Sequence, residues 1–236
     1  MGNAESQSLG RRPGNENAGN YMNVEEKAKS IETIVASALT SPGLDELAAD
    51  YAQLGLDEFI GRDTVSEIPV VKSVVAVVRA GIGIRDRLFA RKLLDFLSGF
   101  RGVSDWERRD MVSRLESDSA YGRRVGEHLT ELLDRIESYK KPKMITRVFQ
   151  AYADGRIHGI MLHRLCGAIE RLPSVEIPAF RPYCETAPEK RATSIVTLQS
   201  LQAAGLLMVD SYAGGLGYNL NEVGEQFLKL ELDRVP

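Results

Sequence analysis

His158, His163, Cys166 and Cys184 are the residues of this sequence whose types come nearest to a reactive or metal-binding set. Imidazole and thiolate are zinc ligands, and His163-x-x-Cys166 puts two of them on one helix face. The spacing of the four matches no zinc pattern. Cys166, beside Leu165 and Ile169, reads as a small buried hydrophobe. Asp154-Gly155-Arg156-Ile157 has the form of a calcium-loop turn, which needs several oxygen ligands and a closing glutamate. HGIMLHRL follows it with no second acidic ligand, so a tight turn between two helices accounts for it better. Gly81-Ile82-Gly83-Ile84-Arg85-Asp86 lacks the third glycine and the strand–helix–strand frame of a dinucleotide fingerprint. Only three histidines occur (His128, His158 and His163), and none stands in a nucleophile–base context. The expectation is a protein without catalytic residues, metal or cofactor.

What remains is a concentration of cations in an apolar setting. Residues 68–100, IPVVKSVVAVVRAGIGIRDRLFARKLLDFLSGF, form the most apolar stretch of the chain. They carry Lys72, Arg79, Arg85, Arg87, Arg91 and Lys92 against Asp86 and Asp95. On a continuous helix Lys72, Arg79 and Asp86 recur every seven residues as one narrow polar stripe, the pattern of a central bundle helix. The same cations could meet an anionic lipid surface, each contributing about 1 kcal/mol there. The apolar run is too short and too charged for a spanning helix. A membrane-disrupting reading has it insert as a hairpin hinged at Gly81 and Gly83.

The composition sets the frame for these residues. With 43% hydrophobic and 27% charged residues over 236 positions, the chain is globular and long enough to bury a core unaided. A net charge of −3 gives no global reason to expect nucleic acid as a partner. Two cysteines make no disulfide framework, and a reducing cytosol is expected. The first twenty residues hold no apolar leader segment. Met1-Gly2-Asn3-Ala4-Glu5-Ser6 fits the myristoylation pattern, but reads more simply as the start of a polar tail.

Residues 1–22, rich in Gly, Asn, Ser and Pro, should be disordered. Helical periodicity then covers 24–39 and 44–59, with Asn23 as N-cap of the first and Gly61 closing the second. Leu88, Phe89, Leu93, Phe96 and Leu97 mark one side of 85–100. Ser104 and Glu107 spell a capping box. A further helix is expected over 120–136, and 144–152 with 157–172 form a helical hairpin about Asp154-Gly155. Pro173, Pro178, Pro182 and Pro188 mark 173–188 as an irregular crossing. Beyond it come a helix over 192–204, a strand over 206–212, a Gly-rich turn over 213–217, a short strand over 218–220, and a helix from Glu222 capped by Asn221. The fold class is therefore mainly α: a helical bundle over 23–172, followed by a small winged-helix-like α+β unit over 189–236.

Two resemblances follow from these motifs. Residues 198–227, with "AAGLL" and "YNLNEVGEQFL", look like the back half of a winged-helix domain. That likeness implies DNA contacts from Lys190, Arg191, Ser194 and Thr197, although the segment carries more carboxylates than cations. Residues 68–172 resemble an uncharacterised bacterial group of helical proteins, and "VFQAYADGRIHGIMLHRLCGAI" is similar to a hairpin of the tellurite-resistance-protein-B type. In outline the whole chain resembles the abortive-infection alpha family, which implies a role in bacteriophage defence. The reading taken forward is a non-enzymatic interaction protein, cytoplasmic or peripheral at a membrane. It would self-associate and recognise a phage component, an anionic lipid surface or a partner defence protein through Lys72, Arg79, Arg85, Arg87, Arg91 and Lys92. The alternatives are a winged-helix transcriptional regulator and a membrane-disrupting effector.

Overall fold

A computed structural model describes residues 31–61, 72, 84–119, 121–186, 193–212 and 215–235. The described chain is mainly helical and closes with a two-stranded antiparallel sheet. Helix α1 covers 31–40 and α2 covers Leu44–Gly61, with a kink at Gly55, whose φ is 70°. Helix α3, Ile84–Ser98, follows, and Ser98 to Val103 lead into α4, Asp105–Ser117. The capping box at the start of α4 is present in full. Ser104 Oγ accepts from Glu107 N–H, and the Glu107 carboxylate accepts from Ser104 N–H.

Helix α3 lies centrally among the described elements, packed on α2 and also against α5 (Val125–Arg135) and α6 (Lys141–Ala153). Ala90, Leu93, Leu94, Phe96 and Leu97 are buried along it, while Leu88 faces outward instead of joining them. Phe96 meets both Phe100 and Phe149 edge-on at 5.3 and 5.7 Å, the arrangement aromatic quadrupoles favour. The expected helix over 120–136 is shorter, because Gly122 at φ 67° turns the chain just before Val125. Helices α6 and α7 (Gly159–Arg171) form the expected hairpin. Its turn is closed by Arg156, which donates to Asp154 Oδ2 at 2.9 and 3.1 Å.

The proline-rich stretch is more ordered than its composition implies. It contains a short 3-10 turn at Ser174–Glu176 and a helix, α8, over Ile177–Glu185. Pro178 sits in the first turn, where an amide donor has no partner to lose, and Pro182 keeps its carbonyl as acceptor for Thr186 N–H. The amphipathic positions Ile177, Phe180 and Tyr183 outweigh the prolines by burying against the core. Helix α9, Ile195–Ala203, is capped by Ser194. Strands β1 (Leu207–Tyr212) and β2 (Gly215–Leu220) pair in register, Leu207 with Leu220 through Tyr212 with Gly215. Residues 215–217, expected in the turn, therefore belong to β2. Helix α10, Glu222–Lys229, is capped by Asn221 and packs on α7. One apolar core runs from Val35 to Leu232 and takes in Phe180, Leu201 and Phe227.

Candidate functional site

Charge in this fold is distributed by how each helix is buried. Arg108 on α4 is almost wholly enclosed, and its guanidinium donates to the carbonyls of Leu39, Ser41 and Val103. It ties the end of α1 to the start of α4 and has no donor turned toward solvent. Lys141 is also buried, held by Glu137 at 2.5 Å and by the Glu170 carbonyl at 3.0 Å. These two cations are structural.

Among the described residues of the cationic stretch, one leaves the surface and another is engaged by its neighbours. Lys92, offered as a contact residue, is only 9% exposed and reaches the Asp134 carbonyl at 3.5 Å. Its position on the inward side of α3, between Arg91 and the buried Leu93, removes it from the surface. Arg91 lies over the Tyr139 ring at 4.0 Å and stands 4.0 Å from Asp95. Burial raises the Asp95 carboxyl above its usual range, and Tyr51 donates to it at 2.9 Å from α2. Lys72 and Arg87 are exposed. Arg85 belongs to α3, whereas Arg79 falls outside the described residues.

In the α+β unit, Ser194 is spent as a cap, its hydroxyl accepting from Val196 N–H at 3.2 Å. Thr197 is half-buried, and Lys190 and Arg191 lie outside the described residues. The described residues 193–220 contain neither lysine nor arginine. Beside polar residues such as Gln199, Gln202, Asp210 and Asn219, the unit exposes four large apolar side chains: Ile195 at 56%, Val196 at 62%, Met208 at 48% and Val209 at 37%. Helix α8, which the prolines had seemed to preclude, supplies a helix ahead of α9, so the order is helix, helix, strand, strand, helix.

The set of zinc-type residues separates. His158 caps α7, its Nδ1 accepting from Met161 N–H at 3.2 Å. Cys166 is fully buried, which pushes its thiol well above the usual range, and Cys184 lies apart on α8. Among the described residues, no group of three or more His, Cys, Asp or Glu could hold a metal ion.

A different cluster forms where α5 meets α7. A groove of about 290 Å³ is lined by Arg123, His128, Leu132, Arg135, His163, Arg164, Gly167, Glu170 and Arg171. The His128 and His163 rings lie 5.1 Å apart. His128 is 3% exposed, and its Nδ1 is 2.6 Å from the Tyr121 hydroxyl. Burial, with His163 and Arg123 adding to it, pushes the His128 imidazole down to about 3, so it is neutral. Burial likewise holds the Tyr121 proton more tightly than usual. At the other end of the groove, Arg135 Nε is 2.9 Å from Glu170, and Arg171 Nη2 donates to the Ala204 carbonyl at 3.1 Å. Arg123 is taken up by Glu127 and Glu131, and Arg164 stands 3.5 Å from Glu222.

The sequence carried a signal for this cluster. His128 and Arg135 are seven apart on α5, as are Arg164 and Arg171 on α7, and each pair therefore shares a face. What no spacing reveals is that the two faces meet.

No family model matches the chain, and neither a curated protein nor a solved structure matches it at a significant level.

Proposed function

We propose that this chain is a non-enzymatic interaction protein of bacterial antiphage defence. In this reading the bundle is a platform, and exposed apolar residues of α9 and β1 meet a phage-associated protein. The defence setting comes from the resemblance of the chain's outline to abortive-infection proteins. One observation carries the choice of surface: Ile195, Val196, Met208 and Val209 are exposed on a unit whose residues 193–220 include no described cation. Binding to DNA draws most of its affinity from Lys and Arg at phosphates, and an anionic membrane is met in the same way. Cores of protein interfaces are depleted in charge and enriched in residues such as Met. The cations of α3 favour a lipid surface less than their number implied, because Lys92 is buried and Arg91 is engaged with Asp95 and Tyr139.

The test is phage plating on cells expressing the chain or its Val196→Asp and Met208→Asp variants. Both positions are exposed, so the variants should unfold within a few degrees of the parent. The parent should lower plating, and both variants should restore it without a change in abundance. Protection that survives both substitutions would overturn this choice of surface. A salt-sensitive gel shift, or flotation with anionic vesicles, would move the reading to DNA or to lipid.

A further inference from the structure

We propose that the groove between α5 and α7 binds the phosphate group of a small soluble phosphate monoester. The site is independent of the exposed α9–β1 surface and lies on the bundle. Its first support is composition: four guanidinium groups and two imidazoles line it against one lining carboxylate, Glu170, which is held by Arg135. Arg123 is discounted, because Glu127 and Glu131 already occupy it. Arg135 is likewise shared between Glu170 and Glu131, and Arg164 stands 3.5 Å from the exposed Glu222, which leaves Arg171 as the lining guanidinium that pairs with no carboxylate among the described residues.

The second support is a buried donor. The Tyr121 hydroxyl lies 2.6 Å from His128 Nδ1 and meets no other acceptor among the described residues, so it is assigned as the donor there. The hydrogen of the neutral His128 ring is then on Nε2. That N–H belongs to a residue 97% enclosed, lines the groove, and has no protein acceptor among the described residues. Buried polar hydrogens are rarely left without a partner. An anionic oxygen in the groove would satisfy it with a charge-assisted bond.

The third support is the floor. Arg171 folds back over Gly167, where a Cβ would come 3.1 Å from its Nη1. Nη2 is bonded to Ala204, so Nη1 is the nitrogen left to meet a ligand. A side chain at 167 would have to push that guanidinium aside by a few tenths of an ångström. The volume, about 290 Å³, stands at the lower end of small-molecule sites and fits a ligand no larger than a nucleoside monophosphate. The exposed His163 ring lies beside the phosphate position, where it offers a second imidazole.

Isothermal titration of the full chain at low salt tests this, with inorganic phosphate, adenosine 5′-monophosphate and adenosine as probes. Phosphate and the monophosphate should bind saturably with a Kd below about 1 mM, and adenosine should not bind. Gly167→Ala should weaken binding at least tenfold while leaving the protein as stable as the parent or more so, since alanine favours a helix interior. Arg171→Gln should weaken it similarly, and Arg156→Gln, on the distant hairpin turn, should leave it unchanged. Absence of saturable binding by both phosphate probes would overturn the proposal. So would binding that Gly167→Ala leaves untouched, or that Arg156→Gln lowers equally.

Discussion

At the scale of single residues, His128 shows how a polar group is kept inside this fold. It meets the Tyr121 ring and hydroxyl and shares the groove lining with Leu132, and the groups that act on its charge are Arg123, Arg135 and His163. Both burial and these neighbours disfavour a second proton, which sets its pKa at about 3 against an ordinary value of 6.5. The linkage follows in sign. Between pH 6.5 and 3 the unfolded chain binds a proton that the folded chain refuses, so stability rises with pH across that window and is complete above it. Between pH 6.5 and 5, His128 should account for a loss of about 1.5 kcal/mol. Urea unfolding of the parent and of His128→Gln at both pH values measures this. The variant should be less stable overall, yet flatter with pH by about that amount. An equal slope in both proteins would place the titration elsewhere.

At the scale of elements, contacts between helices are decided by small residues as much as by large ones. Gly126 begins α5 where it crosses α1, and a Cβ there would lie 2.3 Å from the Glu32 carbonyl oxygen. That obstacle is backbone and cannot swing aside. Gly126→Ala should therefore destabilise the protein by about 1–2 kcal/mol, the strain exceeding the gain in helix propensity. Gly167→Ala meets only the tip of a flexible arginine, so the same substitution on a neighbouring helix should have the opposite sign. Chemical denaturation of the two variants side by side gives the comparison.

The contrast also marks what the sequence discloses. Ser104 with Glu107, Asn221, and Asp154-Gly155 act within a few residues of themselves, and each did what its local chemistry requires. The strands were legible from their alternation, although β2 begins three residues before expectation. Helix α8 was hidden because two prolines argue against a helix, and only the burial of Ile177, Phe180 and Tyr183 shows that tertiary packing outweighs them. The α5–α7 groove was hidden for a related reason: each face could be read from its spacing, but their meeting depends on the path of α6 between them. Lys92 is the inverse case, a cation that spacing alone leaves at the surface and the fold turns inward.

At the scale of the whole molecule, the small α+β unit is joined to the bundle by more than a connecting segment. Helix α8, the connecting segment, is itself packed on the unit: Phe180 meets Phe227 edge-on at 5.5 Å, and the Tyr183 hydroxyl donates to the Tyr218 carbonyl at 2.6 Å. Arg181 grips Asp233 with two bonds, at 2.6 and 2.8 Å, and also donates to the Leu228 carbonyl. Arg147 of the bundle donates to the Glu231 carbonyl at 2.9 Å. Asp233 is nearly enclosed and Arg181 mostly so, which makes their pairing worth more than a surface ion pair. Units that share an apolar core and buried charge pairs lose them together, so thermal unfolding should be a single transition with equal calorimetric and van't Hoff enthalpies. Asp233→Ala leaves the mostly enclosed Arg181 charge with only the exposed Glu185 as a carboxylate partner and should cost about 1–2 kcal/mol. Under a shared core that cost lowers the one transition as a whole, and scanning calorimetry should show it. If the unit were an independent domain on a tether, the parent would show two transitions and Asp233→Ala would move only the C-terminal one. In that case the apolar side of α9 and β1 would be carried by a mobile arm, whereas the shared core holds it in fixed register with the bundle.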